Sequence, residues 1–414
     1  MARRVVVTGI GVVTPIGTGR TAFWDALLAG KSGIRPITRF DARSLPCRVA
    51  GEVNGVRLSE YIKSRDPNHM GRFSQLAIVA ARLAVHDASF HDVSAALCIG
   101  SAVQGAADIG EGAHRGFLRT GWRSLNRHQG LELAAHAATS HVQRELGTTG
   151  PSMTIASGCC TGIDTIAWGA DRIRAGEISA AIVGATEAPL SEFTFGLFAS
   201  GSFLSTWDGL PQEASRPYDR LRSGFVLSEG AAVLVLEELE TAMARGAKLY
   251  AEVLGYASSA EAGSFAKPRE RYAIALQQAT TTAISRSHLR PVDIDYICAH
   301  GNSTQFDDNA EAAAHRASFG QHAYRMPISS IKSMIGQPFA AAGVMQASAA
   351  ILAVKDKIVP PTINYSVPDP GCDLDYVPNK ARVARVDHAL FHSHSLGGGI
   401  PGSHSAMVLG SIRT

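Results

Sequence analysis

Short runs of β-branched residues alternate with alanine-rich runs along most of the chain. The β-branched or apolar runs at residues 5–13, 95–99, 152–156, 180–184, 225–237, 249–256 and 294–299 predict strands. The runs at 73–88, 160–175, 240–246, 271–287 and 340–356 predict helices, the last of them unusually rich in alanine. Most of the strand runs are apolar on both faces, the pattern of strands covered on two sides. Strands alternating with helices in this way predict a layered α/β fold with buried strands.

The order of elements hints at a duplication. In the first half a strand at 152–156 leads through a turn of small residues into a helix. In the second half the strand at 294–299 leads to His300-Gly301, and a second turn at 333–336 opens the alanine-rich helix. Sequence similarity between the halves is too low to establish a repeat. The boundary is expected near Gly246–Lys248, which divides the chain into residues 1–247 and 248–414.

Composition narrows the function. The chain has 414 residues, 45% hydrophobic and 18% charged, with 41 glycines, enough for a large core with many tight turns. A net charge of +3 without an Arg/Lys block argues against nucleic-acid binding. The start of the chain, Arg3-Arg4 before an apolar run, superficially resembles a signal peptide. Gly9, Gly11 and Pro15 break the run, so a buried first strand is expected instead. The Gly-x-Gly in that segment has its third glycine too late for a dinucleotide loop. No apolar run is long enough to predict a membrane span. Six cysteines lack framework or zinc spacing, which fits free thiols in a reducing cytoplasm.

Three segments can carry chemistry. In Ser157-Gly158-Cys159-Cys160-Thr161-Gly162 a strand gives way to very small residues, a cysteine and a helix start. Such a turn presents a side chain to substrate, and a helix N-terminus favours a thiolate. Two packed, inert cysteines would show the same local pattern. His300 ends an apolar strand beside Gly301, where α/β proteins place functional groups, although a structural histidine fits equally well. Asp308 and Glu311 follow on the next helix and read singly as solvated or capping carboxylates. Lys332 precedes the alanine-rich helix, electrostatically misplaced at a helix start, which calls for a partner such as Glu311.

Taken together, these segments resemble the β-ketoacyl-acyl-carrier-protein synthases, the elongating condensing enzymes of the thiolase superfamily. The resemblance runs from end to end. It is carried by Arg3–Gly11, by Ala214-Ser215-Arg216-Pro217-Tyr218-Asp219 with Gly224-Phe225-Val226 and Glu229-Gly230, and by Val359-Pro360-Pro361-Thr362-Ile363-Asn364 with Cys372-Asp373-Leu374. It implies a five-layered α/β/α/β/α fold built from two similar halves. Cys159, with Gly162 three residues on, matches the family nucleophile, and Cys160 does not. His300, Gly301 and Thr304 match the first histidine motif, Asp308 and Glu311 its following acids, and Lys332 the structural lysine. The family's second histidine falls on Gln337. The implied reaction loads an acyl group from a carrier-protein thioester onto Cys159. A malonyl-carrier thioester then loses carbon dioxide and its carbanion attacks. No cofactor and no metal are implied. Phe198 and Leu396 are expected to border the acyl pocket.

Two departures stand out. Gln337 cannot titrate, but its amide still carries two donor hydrogens. In the C-terminal glycine loop Leu396 stands at the gating phenylalanine and Gly399-Ile400 at a Thr-Asn pair. Ser395 replaces a glycine at the expected oxyanion-hole turn beside Gly397 and Gly398. His392 or His394 could supply a replacement donor, but a packed loop histidine is the favoured expectation for each. Both departures suit a second reading, a chain-length-factor-like partner of an active ketosynthase, or a third, non-elongating acyl transfer. The expected partners are an acyl carrier protein and a second ketosynthase subunit, identical or not. Because carrier proteins are acidic, Lys63, Arg65 and Arg72 are candidate docking bases. Arg115, Arg119, Arg123 and Arg127 are further candidates, spaced to share one helix face.

Overall fold

A computed structural model describes residues 3–261, 268–395 and 402–413. The N-terminal half contributes strands β1 (Val5–Thr14), β2 (Ala96–Gly100), β3 (Ser152–Met153), β4 (Ala180–Glu187) and β5 (Gly230–Glu238). The C-terminal half contributes β6 (Ala251–Ala260), β7 (Tyr296–Cys298), β8 (Ile328–Ser329), β9 (His388–His394) and β10 (Ser403–Gly410). The first half is ordered β3-β2-β4-β5-β1 and the second β8-β7-β9-β10-β6. In each half the third, second and fourth strands run parallel, and the fourth, fifth and first run antiparallel. The duplication hinted at by element order is therefore explicit in the topology. The halves meet where β1 pairs antiparallel with β6, at Val6 with Glu252 and Val7 with Ala251.

Helices fill the remaining layers. On the outer face of the first half, α1 (Arg72–Asp87) packs over β1 and β5. The outer face of the second half is covered by α3 (Pro268–Arg286) with α4 (Gln305–Phe319) against it. Between the halves lie α2 (Thr161–Arg174) and α5 (Ala340–Asp356), which pack on each other. The result is the five-layered α/β/α/β/α arrangement. Every residue of α5 from Ala340 to Val354 is buried, so alanine is favoured there because backbones must approach closely on all sides. One such approach is at Gly162, where a Cβ would sit 2.7 Å from the backbone nitrogen of Val344 and 2.8 Å from the carbonyl of Ala340.

Several elements differ from the sequence reading. The first strand is fully buried and central, as expected of a strand rather than a leader. The run at 225–237 becomes a strand only from Gly230. Before it, Val226 and Ser228 bond to the backbone of Gln337, and Gly51 bonds to Leu227. The strand expected over 152–156 stops at Met153. The arginine row does not share one helix face. The helix Ile109–Thr120 ends at Gly121, whose φ is 71°, and Arg127 opens a separate helix capped by Asn126. His392 and His394 lie in β9 rather than in a loop, because β9 pairs residue by residue with β10. Among the described residues, no helix is long and apolar enough to cross a membrane.

Candidate active site

The site forms where both halves present equivalent strand-to-helix turns. On one side Gly158–Cys160 make a single 3-10 turn directly before α2. Gly158 has φ 61°, and a Cβ there would meet the Ser395 side chain at 2.8 Å, so glycine alone fits. Cys159 is 2% exposed. Cys160 is fully buried, its thiol set against the carbonyls of Ser393 and Ser403, each at 3.3 Å. Burial pushes the Cys160 thiol far up. Of the two adjacent cysteines, Cys160 is thus an inert core residue.

On the other side the short helix Lys332–Ile335 ends at Gly336, and Gln337 follows before α5. The Gln337 backbone nitrogen donates to Val226 O at 2.8 Å, and its carbonyl accepts from Ser228 at 3.2 Å. Held this way, its side-chain Nε2 donates to the Cys159 Sγ at 3.3 Å. Its Oε1 is buried without a hydrogen-bond partner among the described residues.

His300 emerges from β7 and is completely buried. Its Nδ1 accepts from the His394 backbone N–H at 3.3 Å and faces Lys332 Nζ at 3.4 Å. Both neighbours are donors, so the ring proton must sit on Nε2, which has no partner among the described residues. Burial first, and then the Lys332 charge, push the imidazole well below its usual range. His300 is accordingly a neutral ring with one free N–H donor.

Lys332 Nζ donates to the His300 carbonyl, and Gln346 Oε1 stands 3.5 Å away. Burial lowers its pKa to about 8, against the opposing pull of Cys159 and Glu311. The direct partner expected for Lys332 was Glu311. Among the described residues no ion pair joins them. Glu311 instead accepts from the backbone N–H groups of His300 (2.9 Å) and Gly301 (2.8 Å) and meets His392 Nε2 at 3.0 Å. Burial would raise the Glu311 carboxyl. His392, His315 and the Gly301 N–H outweigh it and hold it at about 2. Asp308 accepts from the backbone of Tyr218, Asn302 and Ser303 and pairs with buried Arg222 at 3.2 Å. Burial dominates there and pushes its carboxyl up to about 7. Neither acid is a solvated or capping carboxylate: both are fully buried and hold the loop that carries His300.

Two supporting residues escaped the sequence reading. The Gln346 amide nitrogen donates to the carbonyls of Cys298 (3.1 Å), Ala299 (2.8 Å) and His392 (3.0 Å), tying β7 and β9 to α5. A lone glutamine among alanines was the available signal. Glu187 accepts from Ala102 and Val103 N–H and from Ala340 N–H at 3.2 Å, joining the end of β4 to the start of α5. No local pattern pointed to it.

Phe198 is half-buried. Its ring packs 5.1 Å from Phe339 and 5.7 Å from Phe225, in the apolar cluster that also holds Cys159. Leu396, Gly397, Gly398, Gly399 and Ile400 lie outside the described residues. Ser395 bonds its backbone N–H to the Ser403 carbonyl at 2.9 Å. Of the docking bases, Lys63 donates to the Ser59 carbonyl and Arg65 contacts His128. Arg72 is committed inward, donating to Glu229 at 3.0 Å and to the Val53 carbonyl. The partner of its ion pair is 1% exposed, so this arginine is structural rather than a free surface base.

A cysteine at a helix start, two neutral donors and a buried lysine can load an acyl group and stabilise an enolate. Known proteins agree with that chemistry. The beta-ketoacyl synthase N-terminal domain matches residues 2–242, and the corresponding C-terminal domain matches residues 250–366. The ketoacyl synthase alpha subunit of the tetracenomycin polyketide synthase of Streptomyces glaucescens is 40% identical, over 98% of this chain and 97% of that protein. The 3-oxoacyl-[acyl-carrier-protein] synthase 2 of Coxiella burnetii is 38% identical, over 96% of each chain. The solved ishigamide ketosynthase/chain length factor superposes with a TM-score of 0.90 at 33% identity, covering 100% of both chains. Similarity of this extent in both halves makes the chain a member of the beta-ketoacyl synthase family.

Proposed function

We propose that this chain condenses an acyl group held on Cys159 with a malonyl unit delivered by an acyl carrier protein, in type II polyketide or fatty-acid assembly. Residues 1–247 supply the nucleophile, and residues 248–414 supply His300, Lys332, Gln337 and the glycine loop. Cys159 attacks the carrier thioester, and the carrier thiol leaves with the acyl group now on sulfur. The malonyl thioester binds with its carbonyl oxygen toward His300 Nε2–H and the Gln337 amide. Carbon dioxide departs, the enolate charge settles on that oxygen, and the enolate carbon attacks the acyl carbonyl. The Cys159 thiolate is the leaving group. A preorganised donor of this kind is worth about 3 kcal/mol at a developing oxyanion.

The observation that carries the reading is the Gln337 amide seated on the Cys159 sulfur, together with a buried histidine whose Nε2, a donor, has no partner among the described residues. The relative named as an alpha subunit and the one named as a carrier-protein synthase support a catalytic role. The alternative, a chain-length-factor-like partner subunit, draws support from the ketosynthase/chain length factor neighbour and from Gln337 itself. Incubation with an acyl-carrier thioester separates them. Mass gain should map to Cys159, disappear in Cys159→Ala and persist in Cys160→Ala. Absence of acylation, alone or with a second ketosynthase subunit, would favour the partner reading. A charge reversal at Lys63 or Arg65 that leaves carrier affinity and its salt dependence unchanged would remove those bases from the docking surface.

A further inference from the structure

Behind the His300 loop, three side chains converge that the condensation does not use as donors or nucleophiles. Glu311 and His315 are four residues apart on one face of α4, and His392 reaches them from β9, 77 positions along the chain from His315. All three are fully buried. His315 Nε2 and His392 Nε2 are 2.9 Å apart, His392 Nε2 is 3.0 Å from Glu311 Oε1, and His315 Nε2 is 3.9 Å from that oxygen. The three separations average about 3.3 Å, the edge of a tetrahedron whose corners lie about 2.0 Å from its centre, the bond length of zinc to imidazole nitrogen and carboxylate oxygen.

Hydrogen bonding alone serves this triangle poorly. The facing Nε2 atoms have room for one proton between them, so at least one ring must carry its proton on Nδ1. Among the described residues, neither His315 Nδ1 nor His392 Nδ1 has a partner. A buried N–H without an acceptor is destabilising. A cation at the centre would take both Nε2 lone pairs and the carboxylate charge at once. The acid is already aimed, because the His300 and Gly301 N–H groups fix its rotamer.

We propose that Glu311, His315 and His392 bind one divalent transition-metal ion of the zinc class. Three protein ligands are the number found where zinc keeps a further position for water. The site lies against the backbone of His300 through Glu311, so its occupancy would brace the loop that carries the histidine. The sequence could not show this spacing, since helix and strand supply the ligands from distant segments. The proposal stands independently of the condensation reading.

The test uses full-length protein purified without a polyhistidine tag and stripped by chelator. Titration with cobalt(II) should give the intense visible bands of a low-coordinate nitrogen/oxygen site. Zinc should displace the cobalt, and elemental analysis after dialysis should find close to one zinc per chain. Zinc should also raise the thermal midpoint. His315→Ala and His392→Ala should abolish the bands and the thermal shift. His404→Ala, in the separate cluster of Glu261, His394 and His404, should retain both. Absence of cobalt bands in the stripped wild type would overturn the proposal even if the variants fail to fold. Bands that survive His315→Ala, or that vanish in His404→Ala, would overturn it as well.

Discussion

Replacing Gln337 tests whether an amide serves as an enolate donor. Its Nε2 has two hydrogens, of which one points at the Cys159 sulfur at 3.3 Å and the other is available to substrate. A hydrogen bond to a charged group contributes about 1.5–3 kcal/mol. Losing it in Gln337→Ala should slow malonyl-carrier decarboxylation by roughly 10- to 150-fold. Folding should be little affected, because the substitution also removes the unpartnered buried Oε1. Gln337→His should act the other way. Imidazole has one fewer rotatable bond to immobilise, worth about 0.5–1 kcal/mol, which predicts a roughly two- to fivefold gain. The assay is release of labelled carbon dioxide from malonyl-carrier thioester, read separately from acyl loading. If Gln337→Ala decarboxylates within twofold of the parent, or if Gln337→His leaves the rate unchanged, the donor argument is wrong.

Three further outcomes follow from the same geometry. Gly162→Ala places a methyl 2.7 Å from the Val344 nitrogen where α2 crosses α5, and should cost about 2 kcal/mol or more, read as a fall in urea midpoint. An unchanged midpoint would mean that the helices are not so closely packed. Gln346→Leu keeps the volume but strips a donor from three buried carbonyls, and should destabilise by about 3 kcal/mol in the same measurement. Equal stability would show those carbonyls to be satisfied otherwise. The pH profile of decarboxylation should be flat through the usual histidine range, because His300 is held neutral well below it. Rate should then fall as pH passes about 8, where Lys332, whose pKa is lowered by burial, loses the charge that faces His300 Nδ1. An acid limb near pH 6.5 would show that His300 titrates normally.

Cys159 and His300 were legible as candidates because each stands among small residues that a tight turn requires. Gln337 was legible as a substitution, yet its contact with Cys159 was not. That contact depends on Val226–Ser228 leaving the strand pattern to grip the Gln337 backbone. Asp308 and Glu311 were misread when taken singly, since a carboxylate that organises a buried loop looks the same in sequence as one that caps a helix. The arginine row failed for a local reason: Gly121, at positive φ, ends the helix before the third arginine. His392 and His394 read as loop residues because the β9–β10 register is set by a partner strand beyond the glycine-rich segment.

If Cys159, His300 and Gln337 act as proposed, the chemistry of each half-reaction shows where the glutamine weighs most. Decarboxylation breaks a carbon–carbon bond, releases carbon dioxide and leaves an electron pair that becomes the enolate. No proton moves, so a neutral donor is sufficient, and the site offers two, His300 Nε2–H and the Gln337 amide. Condensation expels the Cys159 thiolate, and again no base is needed. Loading is different, because a Cys159 thiol must give up its proton before or during attack on the carrier thioester. An amide cannot accept that proton, and the neighbouring imidazole already has its Nδ1 occupied by the His394 N–H and Lys332. The positive end of α2 favours the thiolate without removing the proton to any particular base. On the proposed reading, glutamine at this position leaves carbon–carbon bond formation chemically intact and places its burden on acyl transfer to Cys159.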